Sequence, residues 1–305
     1  DMSSIAYVTD EKMLEYHRLC CNSSILFWRL TTKNRFTDFK EGDLLFFYAR
    51  DTKVRSRKKA FIGYGHYSGT KRLSLNQMWK QYSTKTGYDS FKDLQEAISK
   101  ASKGDIPKTM LCLELDRIVF FMSPVYPSEV GLSIPLQLES YYYLDQEDPS
   151  ITSKILKCAA KYGVDIWTQN TNETPEDIFL QDEIKHILST SAYVLKEQKL
   201  TDKEKPVANR VSLQQVSLPD WEYIRNSKYE CMHVTKDKID IAIPFTCNTL
   251  NRQERIVQLL GRMTYYKIQL LNSGITLPVH FKVLHENEEP EIKKLVKVVN
   301  ELVKE

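Results

Sequence analysis

The stretch Arg50-Asp51-Thr52-Lys53-Val54-Arg55-Ser56-Arg57-Lys58-Lys59 carries six basic side chains against one acid. Runs of this kind are most often solvated loops. Where they do chemistry, they attract phosphate by charge alone and carry no sequence information. Lys71 and Arg72 stand close enough in the chain to extend such a patch. Around the run lie Trp28, Tyr48, Tyr64, Tyr67 and Trp79, whose flat faces can stack on a planar ligand. Neutral His66 can hydrogen-bond the edge of such a ligand. Each aromatic also has an ordinary use as core filling. Trp28 and Tyr48 sit inside apolar runs, which favours the core; Tyr64, His66, Tyr67 and Trp79 are balanced between the two uses.

The second half offers less. Pro219-Asp220, Glu230 and Asp240 have the flavour of a metal-dependent nuclease core, but the Glu-x-Lys such a core needs is replaced by Glu230-Cys231-Met232-His233. His280-x-Lys282 followed by Asn287 resembles half of a phosphodiesterase motif without its acid or its second copy. No Walker A loop, G-x-S-x-G elbow or H-E-x-x-H motif is present. Cys20, Cys21, Cys112, Cys158, Cys231 and Cys247 contain no C-x-x-C pair, so buried reduced thiols are expected, with no metal and no cofactor. Catalytic residues are not identifiable, and an enzyme is not the favoured reading.

These residues need elements to hold them. The 305 residues are 42% hydrophobic and 27% charged, a composition that suits two folded domains and excludes a disordered chain. No window approaches the ~18 consecutive apolar residues of a membrane span. The first residues lack a signal-peptide pattern, and Asp1 before Met2 reads as a tag remnant, so a cytoplasmic protein is expected. The net charge of +3 divides unevenly: residues 1–145 carry 21 Lys and Arg against 17 Asp and Glu, and the rest carry 22 against 23. Two thirds of the aromatic residues also fall in those first 145 positions.

The first half reads as strands at Ile25–Leu30, Leu44–Arg50, Ala60–Tyr67 and Met110–Phe121. Helices are expected at Leu73–Tyr82, Ser90–Ser102 and Ile151–Tyr162, with Tyr141–Leu144 returning to strand. Alternation places Tyr64 and His66 on one strand face and Gly63, Gly65 and Tyr67 on the other, where the glycines would let a ligand or helix come close. Gln169–Pro175 is a linker by composition. Beyond it, a helix is expected from Glu176, a charged loop over Lys199–Pro206, and a hairpin from Tyr229 to Phe245. A helix over Asn251–Leu271, a strand over Leu277–Leu284 and a helix over Glu289–Lys304 complete the reading. The fold class is therefore α/β (α+β): a curved sheet or open barrel with flanking helices, then a smaller α/β domain. The boundaries fall at 1–168, 169–175 and 176–305.

Three segments carry a family resemblance. Phe27-Trp28-Arg29, Phe39-Lys40-Glu41-Gly42-Asp43-Leu44-Leu45-Phe46-Phe47-Tyr48 and Phe61-Ile62-Gly63-Tyr64-Gly65 resemble the opening of the PUA-like superfamily, in its EVE and YTH branch. Pro124-Val125-Tyr126-Pro127 resembles the return to the sheet in EVE-like domains. The resemblance covers residues 5–160. It implies a reader that holds one turned-out base, often methylated, in an aromatic pocket, as part of a bacterial modification-dependent restriction or defence system. Carried over, that pocket falls on Trp28 to Thr32, Thr31 among them, on Tyr64 to Ser68 and on Trp79, with Tyr48 nearby. The phosphate contacts fall on Arg50, Lys53, Arg55, Arg57, Lys58, Lys59, Lys71 and Arg72. The expected partner is nucleic acid, DNA ahead of RNA, with a second copy or an effector nuclease on the second domain. A nuclease with a degenerate metal site, or a non-catalytic interaction protein, are the alternative readings.

Overall fold

Alternating bulky and small residues over 25–73 make strands that bury one side, and the structure, a computed structural model, shows how far they curl. It describes residues 4–30, 39–51, 57–163 and 173–302. The chain divides into two compact units, Asp1–Glu176 and Asp177–Glu305. The expected linker falls mostly outside the described residues, and a helix starts at Pro175.

The first unit is one six-stranded sheet with helices around it. In chain order it contains β1 (Ile5–Val8), α1 (Glu11–Leu19), β2 (Ile25–Arg29), β3 (Leu44–Arg50) and β4 (Lys59–Leu73). Then come α2 (Leu75–Tyr82), α3 (Phe91–Ala101), β5 (Met110–Val125), β6 (Tyr141–Tyr143) and α4 (Ile151–Tyr162). The strand order is β2-β5-β4-β3-β1-β6, parallel only between β1 and β3. The strand-and-helix alternation follows the expectation, with β4 and β5 longer than their apolar runs. β1 and α1 were not foreseen: Ile5–Val8 is four residues long and has no turn signal before it.

One face of the sheet is lined by Ile5, Tyr7, Phe27, Leu45, Phe47, Leu113, Leu115 and Phe120. The other carries Leu26, Cys112, Met110 and Leu73 against Met78 of α2 and Leu94 and Ile98 of α3. The sheet is curled strongly. β2 is first in strand order and β1 fifth, yet Arg29 Nε of β2 lies 3.0 Å from the Tyr7 hydroxyl of β1. The first face is thus the inside of an open barrel, and a seam runs between the edge strands β2 and β6. α1 connects β1 to β2, and Glu11, Leu14, Glu15 and Arg18 lie beside Arg50, Ile62 and Phe120 to Met122 of β3, β4 and β5.

Close backbone approach makes the curl possible. A Cβ on Gly63 would stand 2.3 Å from the Val119 carbonyl oxygen. What the glycine admits is therefore the neighbouring strand, where a ligand or helix was expected. Gly87 does the same for α1: its φ is +94°, and a Cβ there would meet Met13 Cγ at 2.2 Å and His17 Nε2 at 2.9 Å. His17 is fully buried at this contact, with Nδ1 3.0 Å from Asn22 Nδ2.

The second unit has α5 (Pro175–Leu195), α6 (Glu204–Val216), β7 (Glu222–Tyr223), β8 (Cys231–Val234) and β9 (Ile239–Pro244). It ends with α7 (Arg252–Asn272), β10 (Val279–Leu284) and α8 (Pro290–Leu302). Its sheet runs β10-β9-β8-β7. Ile239, Ile241, Ile243, Met232 and Phe281 pack one face against α5, α7 and α8. Cys231, Ala242 and Leu284 pack the other against Val211 of α6. The expected hairpin, long helix and final strand-helix pair are present. Of the charged loop expected at Lys199–Pro206, residues 199–203 are loop and turn, and Glu204–Pro206 open α6. Thr201 and Glu204 exchange backbone-to-side-chain bonds of 3.1 and 3.3 Å, a capping box whose spacing is visible in the sequence. Arg255 then clamps Glu204 at 3.0 and 3.1 Å. Burial alone would raise the Glu204 carboxyl; Arg255 and Thr201 hold it down at about 2.

Burial lowers His17 to about 4, so its charged form is disfavoured in the fold. A base depressed in this way contributes stability that is present above its unfolded value near ~6.5 and lost as pH falls toward the folded one. We expect the first unit to lose about 3 kcal/mol from this group between neutral pH and pH about 4, at ~1.4 kcal/mol per unit. Urea titrations at several pH values check this: His17→Gln should flatten that part of the curve. Equal pH dependence in the variant and the parent contradicts the assignment.

Candidate nucleic-acid interface

The side chains singled out by sequence fall in three places. Tyr48 and Tyr64 are core residues: Tyr64 is fully buried, its ring 5.2 Å from Phe46, and Tyr48 lies 5.5 Å from Phe61. His66 is buried on the same face and its Nδ1 lies 3.0 Å from the Arg117 carbonyl. Trp28 and Trp79 do come together, on the sheet end covered by α2 and α3. There the Trp28 indole N–H is buried and has no acceptor among the described residues. Tyr67 is on the inner face, its ring 4.6 Å from Phe39 and its hydroxyl 2.5 Å from Thr70 Oγ1. Ser68 donates to the Glu114 carbonyl at 3.1 Å. These residues do not share one cage, because bulges in β4 and the curl of the sheet send successive side chains to separate faces. Thr31 lies outside the described residues.

The basic residues are divided as well. Arg50, Arg57, Lys58 and Lys59 are at one end of β4, and Lys71 and Arg72 are twelve or more residues along it. At ~3.3 Å per residue that is about 40 Å of strand, so the second pair does not extend the first. Lys71 is also engaged, 2.9 Å from Glu114, whose other partner is the Tyr82 hydroxyl. Those two contacts, Tyr82 first, hold the Glu114 carboxyl below its usual range. Lys53 and Arg55 fall outside the described residues.

The seam contains Tyr7, Tyr141 and Tyr143, which the sequence reading did not place in a site, and Arg29, which lay inside the carried-over stretch from Trp28 without being singled out. Arg29 is 2% exposed, an unusual burial for a guanidinium. Its Nε donates to the Tyr7 hydroxyl at 3.0 Å. Its carbon centre lies 5.4 Å from the Tyr7 ring centroid and 5.9 Å from that of Tyr141. Tyr7 and Tyr141 are stacked at 6.2 Å, and Tyr143 meets Tyr141 edge-on at 5.5 Å. Burial raises the Tyr7 phenol while Arg29 pulls it the other way, so the hydroxyl stays protonated. Tyr141 and Tyr143 are half-buried. Arg72 lies in one cross-strand row with Leu111 and Arg29, which puts an exposed cation on the same face as this cluster. The run Tyr141-Tyr142-Tyr143 was a visible signal, but its contact with Arg29 depends on a barrel curl that no local pattern encodes.

In the second unit, Glu230 and Asp240 are on opposite sides of the sheet. Glu230 is 1% exposed, bonded by Arg262 at 2.9 Å and by the Tyr266 hydroxyl of α7. Asp240 faces Lys238 at 3.2 Å and His233 at 3.5 Å. Asp220 is in a turn at φ +64°. The three carboxylates are thus not assembled, and no group of three His, Cys, Asp or Glu among the described residues is arranged for a metal. Of the cysteines, Cys112 and Cys231 are buried as expected, whereas Cys20 and Cys21 are exposed at the end of α1.

No protein-family model matches the chain, and no curated protein matches it. Among solved structures, the chain is similar to an ASCH protein from Zymomonas mobilis, with a TM-score of 0.35 and 12% identity, over 52% of this chain and 96% of that one. A point mutant of the same protein gives 0.33 and 10%, over 48% and 94%. A second mutant gives 0.34 and 12%, over 49% and 94%. No helix among the described residues is long and apolar enough to cross a membrane.

Removing the Tyr7 hydroxyl isolates the seam contact without opening a large cavity. Tyr7→Phe should cost about 1.5–3 kcal/mol, the range for hydrogen bonds to charged groups. Chemical denaturation reads this directly; a loss below ~0.5 kcal/mol, the size of a neutral surface change, contradicts a seam held by Arg29.

Proposed function

We propose that the first unit binds nucleic acid and takes one unstacked base at the seam, against Tyr141 and Tyr143. The observation that carries this reading is the half-buried tyrosine pair on β6, the last strand in sheet order, held beside a buried guanidinium. Aromatic faces are attractive to bases because every base has a π surface, and each stack is worth ~1–3 kcal/mol. Turning a base out costs a few kcal/mol, least when it is already single-stranded or damaged. Arg72 at this end of β4 and Arg50, Arg57, Lys58 and Lys59 at the other supply charge for phosphates on either side. The resemblance of residues 25–67 to the EVE and YTH branch points the same way. It adds the finer reading of a modified, methylated base, with DNA ahead of RNA. On this reading Arg29 is a positioning residue, and the aromatics that meet the base are Tyr141 and Tyr143.

Fluorescence anisotropy with labelled single-stranded DNA, with and without methylated bases, tests the proposal. Tyr141→Ala with Tyr143→Ala should weaken binding about tenfold or more, from ~1.4 kcal/mol per decade. Arg57→Ala with Lys58→Ala and Lys59→Ala should lower the salt slope by about 2, at ~0.7 per phosphate contact. Trp79→Ala should change stability and leave affinity alone. Unchanged affinity in the double tyrosine variant, at unchanged stability, excludes the seam as the base site.

A further inference from the structure

The motif His280-x-Lys282 found no catalytic partner, but the structure gives it a neighbourhood. β10 is the edge strand of the second sheet. Its outward backbone at Phe281 is covered by Asn300 of α8, which accepts from the Phe281 N–H at 2.8 Å and donates to its carbonyl at 2.9 Å. That bridge holds α8 alongside the strand and leaves a groove of about 480 Å³ between them. Its polar lining is His280, Lys282 and His285 from the strand side and Lys293, Lys297 and Glu301 from the helix. Three lysines and two imidazoles thus face one carboxylate.

Most other acids nearby are engaged elsewhere; Glu288, exposed in the loop before α8, has no ion pair among the described residues. Glu289 and Glu291 pair with Arg252 at 2.9 and 3.1 Å, and Glu286 pairs with Arg210. Asp240, 3.7 Å from His280, has Lys238 at 3.2 Å. Lys282 donates to Gln215 at 3.1 Å, a neutral partner. Among the described residues, no carboxylate stands within ion-pair distance of Lys293 or Lys297. A lysine on an edge strand also discourages unwanted strand pairing. That purpose is served by Lys282 and Asn300 alone and does not require two further lysines on the facing helix. Lys293 and Lys297 are one turn apart, about 6 Å along the helix, and His280 and Lys282 are about 6.6 Å apart along the strand. Lys293 and Lys297 on the helix, with Lys282 on the facing strand, thus set three cations along the groove, the helical pair at a spacing near the phosphate repeat of an extended polynucleotide.

We propose that this groove is a second nucleic-acid site, taking the phosphate backbone of a single strand along β10 without reading its bases. It is separate from the seam, with no residue in common, so the two can fail independently. The test uses the full chain and labelled oligothymidylate and oligouridylate, with no modified bases. Lys293→Glu with Lys297→Glu should lower the salt slope by about 1.4 and weaken binding about 25-fold at about 0.1 M salt, from ~0.7 per single-strand phosphate. Both lysines are exposed, so folding should survive, which circular dichroism verifies; Lys293→Gln with Lys297→Gln provides a milder pair with a smaller loss in the same direction. Affinity and slope within twofold of the parent in both variants overturn the groove. A loss for only one of the two polymers overturns backbone-only recognition. If the tyrosine pair matters and the lysine pair does not, the groove fails and the seam stands; the reverse result removes the seam and keeps the groove.

Discussion

A single buried cation decides the shape of the first unit. Arg29 ends the first strand in sheet order, and Tyr7 and Tyr141 come from the fifth and sixth, so their contact is the closure of the barrel. No backbone ladder is described between β2 and β6. Taking a guanidinium out of water costs several kcal/mol, and that cost is offset only by good geometry. Here the bond to the Tyr7 hydroxyl, at ~1.5–3 kcal/mol, and two ring faces, at ~0.5–2 kcal/mol each, contribute to it. Among the described residues the seam is closed by side chains rather than ladder bonds, and Tyr141 and Tyr143 stand half-buried beside it.

The second unit is organised by a different use of buried charge. Glu204–Arg255 and Glu230–Arg262 each fix the start of an element against α7: Glu204 opens α6, and Glu230 precedes β8. Pairs of this kind stabilise little on balance but cost ~3–5 kcal/mol to break one-sidedly, so they specify which helix face meets which strand. Glu230, one of the acids that hinted at a nuclease, is thus committed to holding β8 against α7. Charge remains unneutralised along β10 and α8.

Much of this architecture can be read from the sequence, because most elements advertise themselves locally. Leu44–Arg50 is bounded by a Gly-Asp turn, and Asn251–Leu271 repeats apolar residues at helical spacing; both appear where the pattern puts them. The capping box at Thr201 was equally local and was masked by the lysines around it. The candidate site was less legible for a physical reason. Tyr64 and His66 were placed at the pocket by the family resemblance, and alternation gives two faces but not which face is inside. Arg29 looked like the polar end of a strand. Its role follows from curl and stagger, which depend on bulges in β4 and on the close approach at Gly63, both properties of strand pairs. The division of the basic residues was hidden likewise, since nearness in sequence becomes distance once a strand runs fifteen residues.

The central claim is that the β2–β6 seam of the first unit is where nucleic acid docks. Amide hydrogen exchange of the full chain, with and without saturating single-stranded DNA, measures this at the backbone. The account predicts slowed exchange concentrated in residues 5–8, 25–29 and 141–143, with a smaller effect at 279–284. Protection confined to other strands, or none at saturating ligand, contradicts it.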